Sequence, residues 1–375
     1  MRIVRLANFV GPRTGGIRTA LERWGLAYAR LGHDPVLIHP GDEFAHRRAE
    51  FGDVITLGGT DLPGRTGYQL VLNRRRVTSL LERLHPDAVE VSDRSSLRWV
   101  ASWARRAGVP SVMVSHECLT GVLQEFGAPP AVATRVADRL NTGTARSYDA
   151  IACPSSYAAQ EFSRIGAEAH VVPLGVDHDV FTPAPTAGSP APAAALRLLH
   201  CGRLSPEKDP TLPIRTLAEL HRRGVPARLD VLGHGPMASH LRELARPYDV
   251  AFLPYTRSRA QVAGRLRAAD VVIAPGPIET FGLAALEALA CGTPVVCPTT
   301  GALPEVVGAG GLAAPSHAAD FADAVLRLAA DPLAPARARR RARELTWDTS
   351  ARGMLQVHHA AAASIGSRTR DSAGG

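Results

Sequence analysis

Short apolar runs alternate with amphipathic stretches along the first half of the chain. Helical spacing is clearest at Ile17, Leu21, Trp24 and Tyr28, which fall on one face of a helix. The pattern predicts helices over residues 17–31, 68–84 and 95–107, and buried strands over residues 1–8, 36–39, 54–57, 88–91 and 112–115. This alternation predicts an α/β fold in which a parallel sheet lies between two layers of helices.

The same alternation starts again after an uncharged segment. Residues 182–195 are rich in Pro, Ala and Ser, which is typical of a linker. Five further apolar runs predict strands over residues 196–201, 229–232, 250–255, 269–275 and 292–297. We therefore predict two domains, residues 1–181 and 196–346. A helix over residues 347–363 and a small, polar, disordered tail over residues 364–375 are expected to follow.

Length and composition are consistent with this division. A chain of 375 residues with 45% hydrophobic residues is long enough to form two cores. No apolar run reaches the roughly 18 residues of a membrane span, and no signal-peptide pattern is present. A cytoplasmic protein is therefore expected. The five cysteines are scattered without a Cys-x-x-Cys pair, so neither disulfides nor a zinc site are predicted.

The net charge of +8 and the pI near 9.8 predict an anionic partner. Nucleotide phosphates, acidic lipids and nucleic acid all fit the charge alone. Aromatic residues make up only 5% of the chain and do not interleave with the arginine clusters, which argues against nucleic acid. The arginines at residues 74–76 and 337–343 are interpreted mainly as solvated helix faces, with contact to a membrane or an anionic acceptor as the alternative.

A pair of glutamates provides the strongest chemical signal. Glu287 is the one polar residue in an apolar helix predicted over residues 282–291. An ionised carboxylate is not buried alone, so Glu287 must meet a cation, hydroxyl donors or a ligand that supplies them. Glu279 precedes the helix, and the amides of Phe281, Gly282 and Leu283 at its start favour a phosphate. Such a site suits a sugar joined to a phosphate.

The motif Glu-x-Phe-Gly-(x)4-Glu, residues 279–287, resembles the signature of the retaining glycosyltransferases of family 4. These enzymes have the GT-B fold, in which two Rossmann-like domains face each other across a cleft. Four more motifs occur in the family's order, and the resemblance covers nearly the whole chain. They are the loop with Gly15 and Gly16, His116 after a strand, Arg203 with Lys208, and the Gly233 to Gly235 turn.

The resemblance implies a role for each of these motifs. Arg203, Lys208 and the amides at Gly282 and Leu283 are expected to hold the donor diphosphate and to stabilise its charge as it leaves. The glycine loops at residues 15–16 and 233–235 and the segment near Tyr255 also belong to the donor site, with Tyr255 near the base. Glu287 is expected to bind the ribose hydroxyls.

The remaining roles concern the transferred sugar. Glu279 is expected to bind its hydroxyls, and His116 to orient it from the other side. The last helix is expected to return to the N-terminal domain. No nucleophile with a paired base is found at a matching position, so front-face attack assisted by the leaving phosphate is favoured over a covalent intermediate.

The sequence argues against two other kinds of site, an NAD site and a metal site. Gly11, Gly15 and Gly16 do not spell G-x-G-x-x-G, and no acidic residue ends the strand over residues 36–39, which argues against NAD. The segment from Asp177 to Asp179 is an Asp-x-Asp, the metal motif of the other large glycosyltransferase fold. It precedes a linker here, so we interpret it as a turn and predict that catalysis requires no metal or other cofactor.

The predicted function is transfer of a hexose from a nucleotide diphosphate donor to a hydroxyl acceptor. The chain most resembles GDP-mannose-dependent mannosyltransferases, with UDP-glucose or UDP-N-acetylglucosamine enzymes as the alternative donor class. The residues are also compatible with a nucleotide-sugar 2-epimerase of the same fold and with a non-catalytic nucleotide-sugar binder. The acceptor is a soluble molecule, or a lipid or glycolipid that would place the protein at the inner face of the membrane.

Overall fold

The computed structural model describes residues 1–10, 15–61, 68–125, 127–183, 195–256 and 258–373, with side chains described as far as residue 366. Gly11 and most of the predicted linker, residues 184–194, lie outside the described residues. The chain divides into two compact units. The first comprises Met1–Leu174 with Trp347–Gly375, and the second comprises Gly175–Thr346.

In the described part of the chain, ten strands belong to the first unit and six to the second. Those of the first unit are β1 (Arg2–Leu6), β2 (Asp34–Gly41), β3 (Ala45–Ala49), β4 (Gly52–Gly58), β5 (Thr60–Asp61), β6 (Gln69–Leu70), β7 (Ala88–Val91), β8 (Ser111–Val114), β9 (Ala150–Cys153) and β10 (His170–Val171). Those of the second unit are β11 (Leu196–Cys201), β12 (Ala227–Leu232), β13 (Val250–Leu253), β14 (Val271–Ile273), β15 (Val295–Pro298) and β16 (Gly311–Ala314).

The helices connect these strands. The first unit contains α1 (Gly16–Arg30), α2 (Arg74–Leu84), α3 (Trp99–Ala107), α4 (Leu119–Glu125), α5 (Pro130–Ser147) and α6 (Ser156–Ser163). The second contains α7 (Thr211–Arg222), α8 (Ala238–Ala245), α9 (Arg259–Ala268), α10 (Leu283–Ala290), α11 (Leu303–Val307), α12 (Ala318–Ala329) and α13 (Ala334–Arg343), with short 3-10 helices at Pro206–Lys208 and Gly308–Gly310. The last helix, α14 (Trp347–Ala373), belongs to the first unit.

Each unit is built on a mainly parallel sheet. The order in the first unit is β10-β9-β8-β7-β1-β2-β4-β3, in which the edge strand β3 alone runs antiparallel to its neighbour. The order in the second unit is β13-β12-β11-β14-β15-β16, with every pairing parallel. Strands buried on both faces explain the continuous apolar runs of the sequence. The predicted α/β class with two parallel-sheet domains is confirmed.

A buried polar network joins α14 to the sheet of the first unit. The Glu90 carboxylate on β7 accepts hydrogen bonds from Tyr28 Oη at 2.6 Å and from His358 Nε2 at 2.8 Å. Burial raises the pKa of Glu90, but His358, the charge of Arg5 and the Tyr28 bond outweigh it, so the pKa lies below its usual range. The network keeps a charged carboxylate in the core, bonded to helices at both ends of the chain.

Several element boundaries differ from the sequence predictions. The helix predicted over residues 68–84 begins only at Arg74, because the Asn73 side chain accepts a hydrogen bond from the Arg76 amide and caps it there. The helix predicted over residues 95–107 begins at Trp99, because the Ser95 and Ser96 amides are bonded to Asp93.

The end of the last helix and the first domain boundary also differ from the sequence predictions. Helix α14 runs from Trp347 to Ala373, past the end of the helix predicted over residues 347–363. The disorder expected over residues 364–375 stays a prediction. Residues 175–181 belong to the second unit, not the first. There Val176 pairs with Thr346, and its amide donates to the Leu345 carbonyl at 3.1 Å. Among the described residues, no helix is both long enough and apolar enough to span a membrane.

Candidate active site

The signature glutamates lie on either side of the start of α10. Strand β14 ends at Ile273, Glu279 lies in the loop that follows, and Glu287 lies within the helix. Gly282 caps the helix with φ of 96°, and a Cβ atom there would lie 2.4 Å from Leu303 Cδ2. Only glycine fits this position without strain. The local sequence therefore places Glu279 before the helix, as the chemistry of a convergent acid pair requires.

Glu279 and Lys208 form an ion pair in the second unit. Lys208 Nζ lies 2.7 Å from Glu279 Oε1, and each side chain is about a quarter exposed. Lys208 ends the 3-10 helix that follows β11, so the pair joins the loops after two neighbouring parallel strands. Lys208 is also the only lysine in the sequence, and the other 42 of its 43 lysine and arginine residues are arginines. The structure thus brings together two residues that the sequence placed in one site.

Glu287 has a cation partner that the sequence analysis did not identify. Its Oε1 lies 3.6 Å from a guanidinium nitrogen of Arg259, the first residue of α9. The same guanidinium stacks over the buried ring of Phe181, with its carbon 5.0 Å from the ring centroid. The requirement that Glu287 meet a cation or hydroxyl donors is therefore met by Arg259 in this structure. No spacing along the chain connects these two residues, which only the tertiary fold brings together.

The two glycines of the Gly233 to Gly235 turn bring two loops into contact. A Cβ at Gly233 would lie 1.9 Å from the Gly202 carbonyl oxygen, and one at Gly235 would lie 2.3 Å from that of Leu204. The Leu204 amide in turn donates to the His234 carbonyl at 3.0 Å. This close approach fixes the loop that carries the exposed Arg203, five residues before Lys208. The two glycines thus help to position Arg203, one of the two residues predicted to hold the diphosphate.

An aromatic pair marks the neighbouring strand ends. Tyr255, 41% exposed, follows β13, and His234, also exposed, follows β12. Their rings form an edge-to-face contact with centroids 4.9 Å apart. The sequence analysis named Tyr255 but not His234, because the sequence does not show which residues at the ends of two separate strands lie next to each other.

The remaining predicted residues lie in the first unit. His116 follows β8, with Nε2 3.0 Å from Ser92 Oγ and its ring 6.1 Å from that of Trp24. Burial and the charge of Arg94 lower the pKa of His116 to about 4, so its imidazole is neutral at pH 7. It can therefore serve as a hydrogen-bonding group but not as a cation.

Gly15 and Gly16 lie at the start of α1. Gly15 precedes the helix with φ of 147°, its carbonyl accepts a hydrogen bond from the Thr19 amide at 3.1 Å, and Gly16 is the first helical residue. The four residues before them lie outside the described part of the chain.

The Asp-x-Asp segment forms a turn. The Asp177 carbonyl accepts a hydrogen bond from the Phe181 amide at 2.8 Å, and its carboxylate accepts one from the Asp179 amide at 3.3 Å. Within the described ranges, no group of three or more His, Cys, Asp or Glu side chains is arranged to hold a metal ion.

Two family models match consecutive parts of the chain. Residues 14–180 match glycosyltransferase family 4, and residues 195–331 match the glycosyl transferases group 1. A GDP-mannose-dependent alpha-(1-6)-phosphatidylinositol dimannoside mannosyltransferase of Mycobacterium tuberculosis is 43% identical over 373 residues, which is 97% of each chain. A D-inositol 3-phosphate glycosyltransferase of Kineococcus radiotolerans is 41% identical over 224 residues, 51% of each chain.

Solved structures share the fold at lower identity. Sucrose-phosphate synthase from Thermosynechococcus elongatus superposes with a TM-score of 0.75 at 20% identity, covering 96% of this chain and 98% of its own. HepE from Anabaena, in complex with UDP and glucose, gives 0.72 at 18% identity, covering 95% and 98%. These neighbours confirm the predicted GT-B fold.

The family matches and the nearly full-length mycobacterial relative agree with the motifs found in the sequence. The prediction of an enzyme that transfers a sugar is confirmed, and the chain belongs to glycosyltransferase family 4.

Proposed function

We propose that this glycosyltransferase moves mannose from GDP-mannose to a hydroxyl group of a phosphatidylinositol mannoside, with retention at the anomeric carbon. The observation that carries the proposal is the 43% identity over 97% of the chain to a mycobacterial enzyme named for this donor and this class of acceptor. The charged residues of the second unit supply groups suited to such a donor.

The ion pair between Lys208 and Glu279 is proposed to exchange partners when the donor binds. Lys208 then contacts the diphosphate, together with Arg203 and the amides at the start of α10. Glu279 is released to accept hydrogen bonds from the hydroxyls of the transferred mannose. Each charge thus has a partner both before and after binding, so neither is left unpaired at any stage.

Glu287 is proposed to hold the ribose, because a carboxylate can accept hydrogen bonds from both ribose hydroxyls. Arg259 lies beside it at 3.6 Å and offsets its negative charge. The exposed edge-to-face pair of Tyr255 and His234 is proposed to contact the guanine.

The proposed chemistry is a front-face displacement. The bond between the anomeric carbon and the β-phosphate oxygen breaks, the acceptor oxygen bonds to the same face of that carbon, and the departing phosphate oxygen takes the acceptor proton. Lys208 and Arg203 offset the charge that develops on the diphosphate, so we propose that no divalent metal is required. His116, with a neutral imidazole, is proposed to orient the sugar by hydrogen bonding.

A lipid acceptor requires access to a membrane surface, which the α2 surface is proposed to provide. We define this surface as Arg74, Arg75, Arg76, Phe44 and Leu72, all of which are exposed. The guanidinium of Arg76 stacks over the Phe44 ring at 4.8 Å from its centroid. Arginines beside exposed apolar side chains suit anionic headgroups and the upper part of the acyl layer.

Liposome flotation tests the proposed role of the α2 surface. Binding to liposomes that contain phosphatidylinositol is expected to exceed binding to neutral liposomes, and to fall roughly 100-fold when Arg74, Arg75 and Arg76 are all replaced by glutamine. The matched control is the triple replacement of Arg339, Arg340 and Arg343 by glutamine, which removes the same charge from α13. Equal losses in both triple variants would contradict a specific α2 surface.

A donor panel tests the proposed reaction. Radiolabelled GDP-mannose, UDP-glucose and UDP-N-acetylglucosamine are each incubated with phosphatidylinositol dimannoside in mixed micelles containing EDTA. Labelled lipid is expected from GDP-mannose only. Transfer from a UDP-sugar would overturn the donor, and release of a 2-epimer without acceptor would indicate an epimerase. Nucleotide binding without turnover of any sugar would indicate a non-catalytic binder.

A further inference from the structure

The segment that carries His116 is held from both sides by a pair of buried charged residues. This segment, residues 115–120, runs from the end of β8 into the first turn of α4. Arg94, from the loop after β7, and Glu161, on α6, lie 3.3 Å apart, with side chains only 10% and 4% exposed. Buried ion pairs carry a desolvation cost unless most of their hydrogen-bonding capacity is used. The residues that bond to Arg94 and Glu161 therefore show which part of the fold the pair holds in place.

Glu161 binds the C-terminal half of the segment. Its carboxylate accepts hydrogen bonds from the amides of Leu119 and Thr120 at 2.9 and 2.7 Å, and from the Thr120 hydroxyl at 2.7 Å. The Cys118 sulfur lies 3.5 Å from the same carboxylate. Burial raises the pKa of Glu161, but the Thr120 bonds and the charge of Arg94 outweigh it and keep the carboxylate ionised. The negative charge caps the first amides of α4.

Arg94 binds the N-terminal half. Its guanidinium donates to the Glu117 carbonyl at 2.7 Å and to the Ser115 hydroxyl. It also donates to Asn141 Oδ1 on α5 at 2.8 Å and stacks over the Phe162 ring at 5.6 Å from its centroid. The Phe162 ring and the Asn141 amide fix the plane of the guanidinium, which in turn holds the Ser115 side chain before His116 and the Glu117 carbonyl after it.

The bonds of this pair thus reach five residues that flank His116 on both sides, namely Ser115, Glu117, Cys118, Leu119 and Thr120. Asn141 on α5 also bonds to both members of the pair, but most of their hydrogen bonds end on the His116 segment. We propose that Arg94 and Glu161 are positioning residues that hold the His116 segment in its catalytic geometry. This inference rests on the proposed function, in which His116 orients the transferred sugar.

The first test is the variant Glu161→Gln, which keeps the size of the side chain but cannot accept all of these bonds. The expected result is a fall in kcat for mannose transfer of roughly 10- to 100-fold, because small displacements of a positioned group have effects of this size. The KM for GDP-mannose is expected to change far less than kcat, since the residues proposed to hold the diphosphate, the ribose and the base lie in the second unit. The matched control is Glu168→Gln, an exposed glutamate of the first unit. A wild-type kcat in Glu161→Gln would overturn the inference.

A double-mutant cycle separates positioning from general stability. If Glu161 acts through His116, then Glu161→Gln should cost little further activity in a His116→Ala background. A loss of the same factor in both backgrounds would show that Glu161 acts elsewhere and would overturn the inference. Full activity in His116→Ala alone would instead refute the role of His116 in the proposed function, so the two failures are distinguishable.

A milder variant covers the case in which Glu161→Gln does not fold. Thr120→Val removes one hydroxyl donor to Glu161 and leaves both charges in place. Its kcat is expected to fall less than that of Glu161→Gln, and the loss is again expected to disappear in the His116→Ala background. A kcat equal to wild type in a folded Thr120→Val protein, or an undiminished loss in the double variant, would count against the inference.

Discussion

Replacing Lys208 with alanine is expected to lower kcat for mannose transfer by roughly 10²- to 10³-fold, the size of effect seen when one group that stabilises developing charge is removed. The variant loses the cation proposed to face the diphosphate. In the wild-type protein the Glu279 carboxylate lies 2.7 Å from Lys208 Nζ. The variant removes this cation, so that the carboxylate would face the anionic substrate without it. Initial rates at saturating GDP-mannose measure the effect.

The control for Lys208 is Arg228→Ala, which removes an exposed cation from β12 of the same unit. It is expected to leave kcat within twofold of wild type. A Lys208→Ala enzyme with nearly normal turnover, or equal losses in the two variants, would remove Lys208 from the proposed diphosphate site.

Replacing Glu287 with glutamine is expected to weaken GDP binding by roughly 10²-fold, because a charged acceptor for two ribose hydroxyls becomes a neutral one beside Arg259. Isothermal titration calorimetry measures the dissociation constant. Wild type is also expected to bind 2′-deoxy-GDP more weakly than GDP, whereas Glu287→Gln should discriminate far less between the two ligands.

Glu243→Gln is the matched control, since Glu243 is an exposed glutamate on α8 of the same unit. It should bind GDP and 2′-deoxy-GDP as wild type does. If Glu287→Gln kept the full preference for the ribose hydroxyl, the proposed contact between Glu287 and the ribose would be wrong.

The sequence was informative where local rules determine the structure. Gly282 and the apolar run before it fixed the loop position of Glu279, and the apolar surroundings of Glu287 required a polar partner. The order of motifs placed Lys208 and Glu279 in one site, and parallel strands bring their loops together. Those inferences depended only on helix starts, strand ends and the cost of burying charge.

The sequence was uninformative where partners come from distant segments. Arg259 and Phe181 approach Glu287 only through the fold. No element was predicted between β8 and β9, because Asn141 and Thr144 occupy buried positions of α5 and interrupt its apolar pattern. Strand β3 has no apolar alternation, since it is an exposed edge strand held by its backbone pairing to β4.

The central claim is that Lys208 leaves Glu279 and contacts the diphosphate when the donor nucleotide binds. Because Lys208 is the only lysine of the chain, labelling with [15N]lysine gives a single side-chain ammonium signal in an NMR spectrum. On addition of saturating GDP in EDTA, this signal is expected to move to a new position, and the change should be absent with guanosine. A signal that stays in place while calorimetry shows GDP bound would contradict the claim.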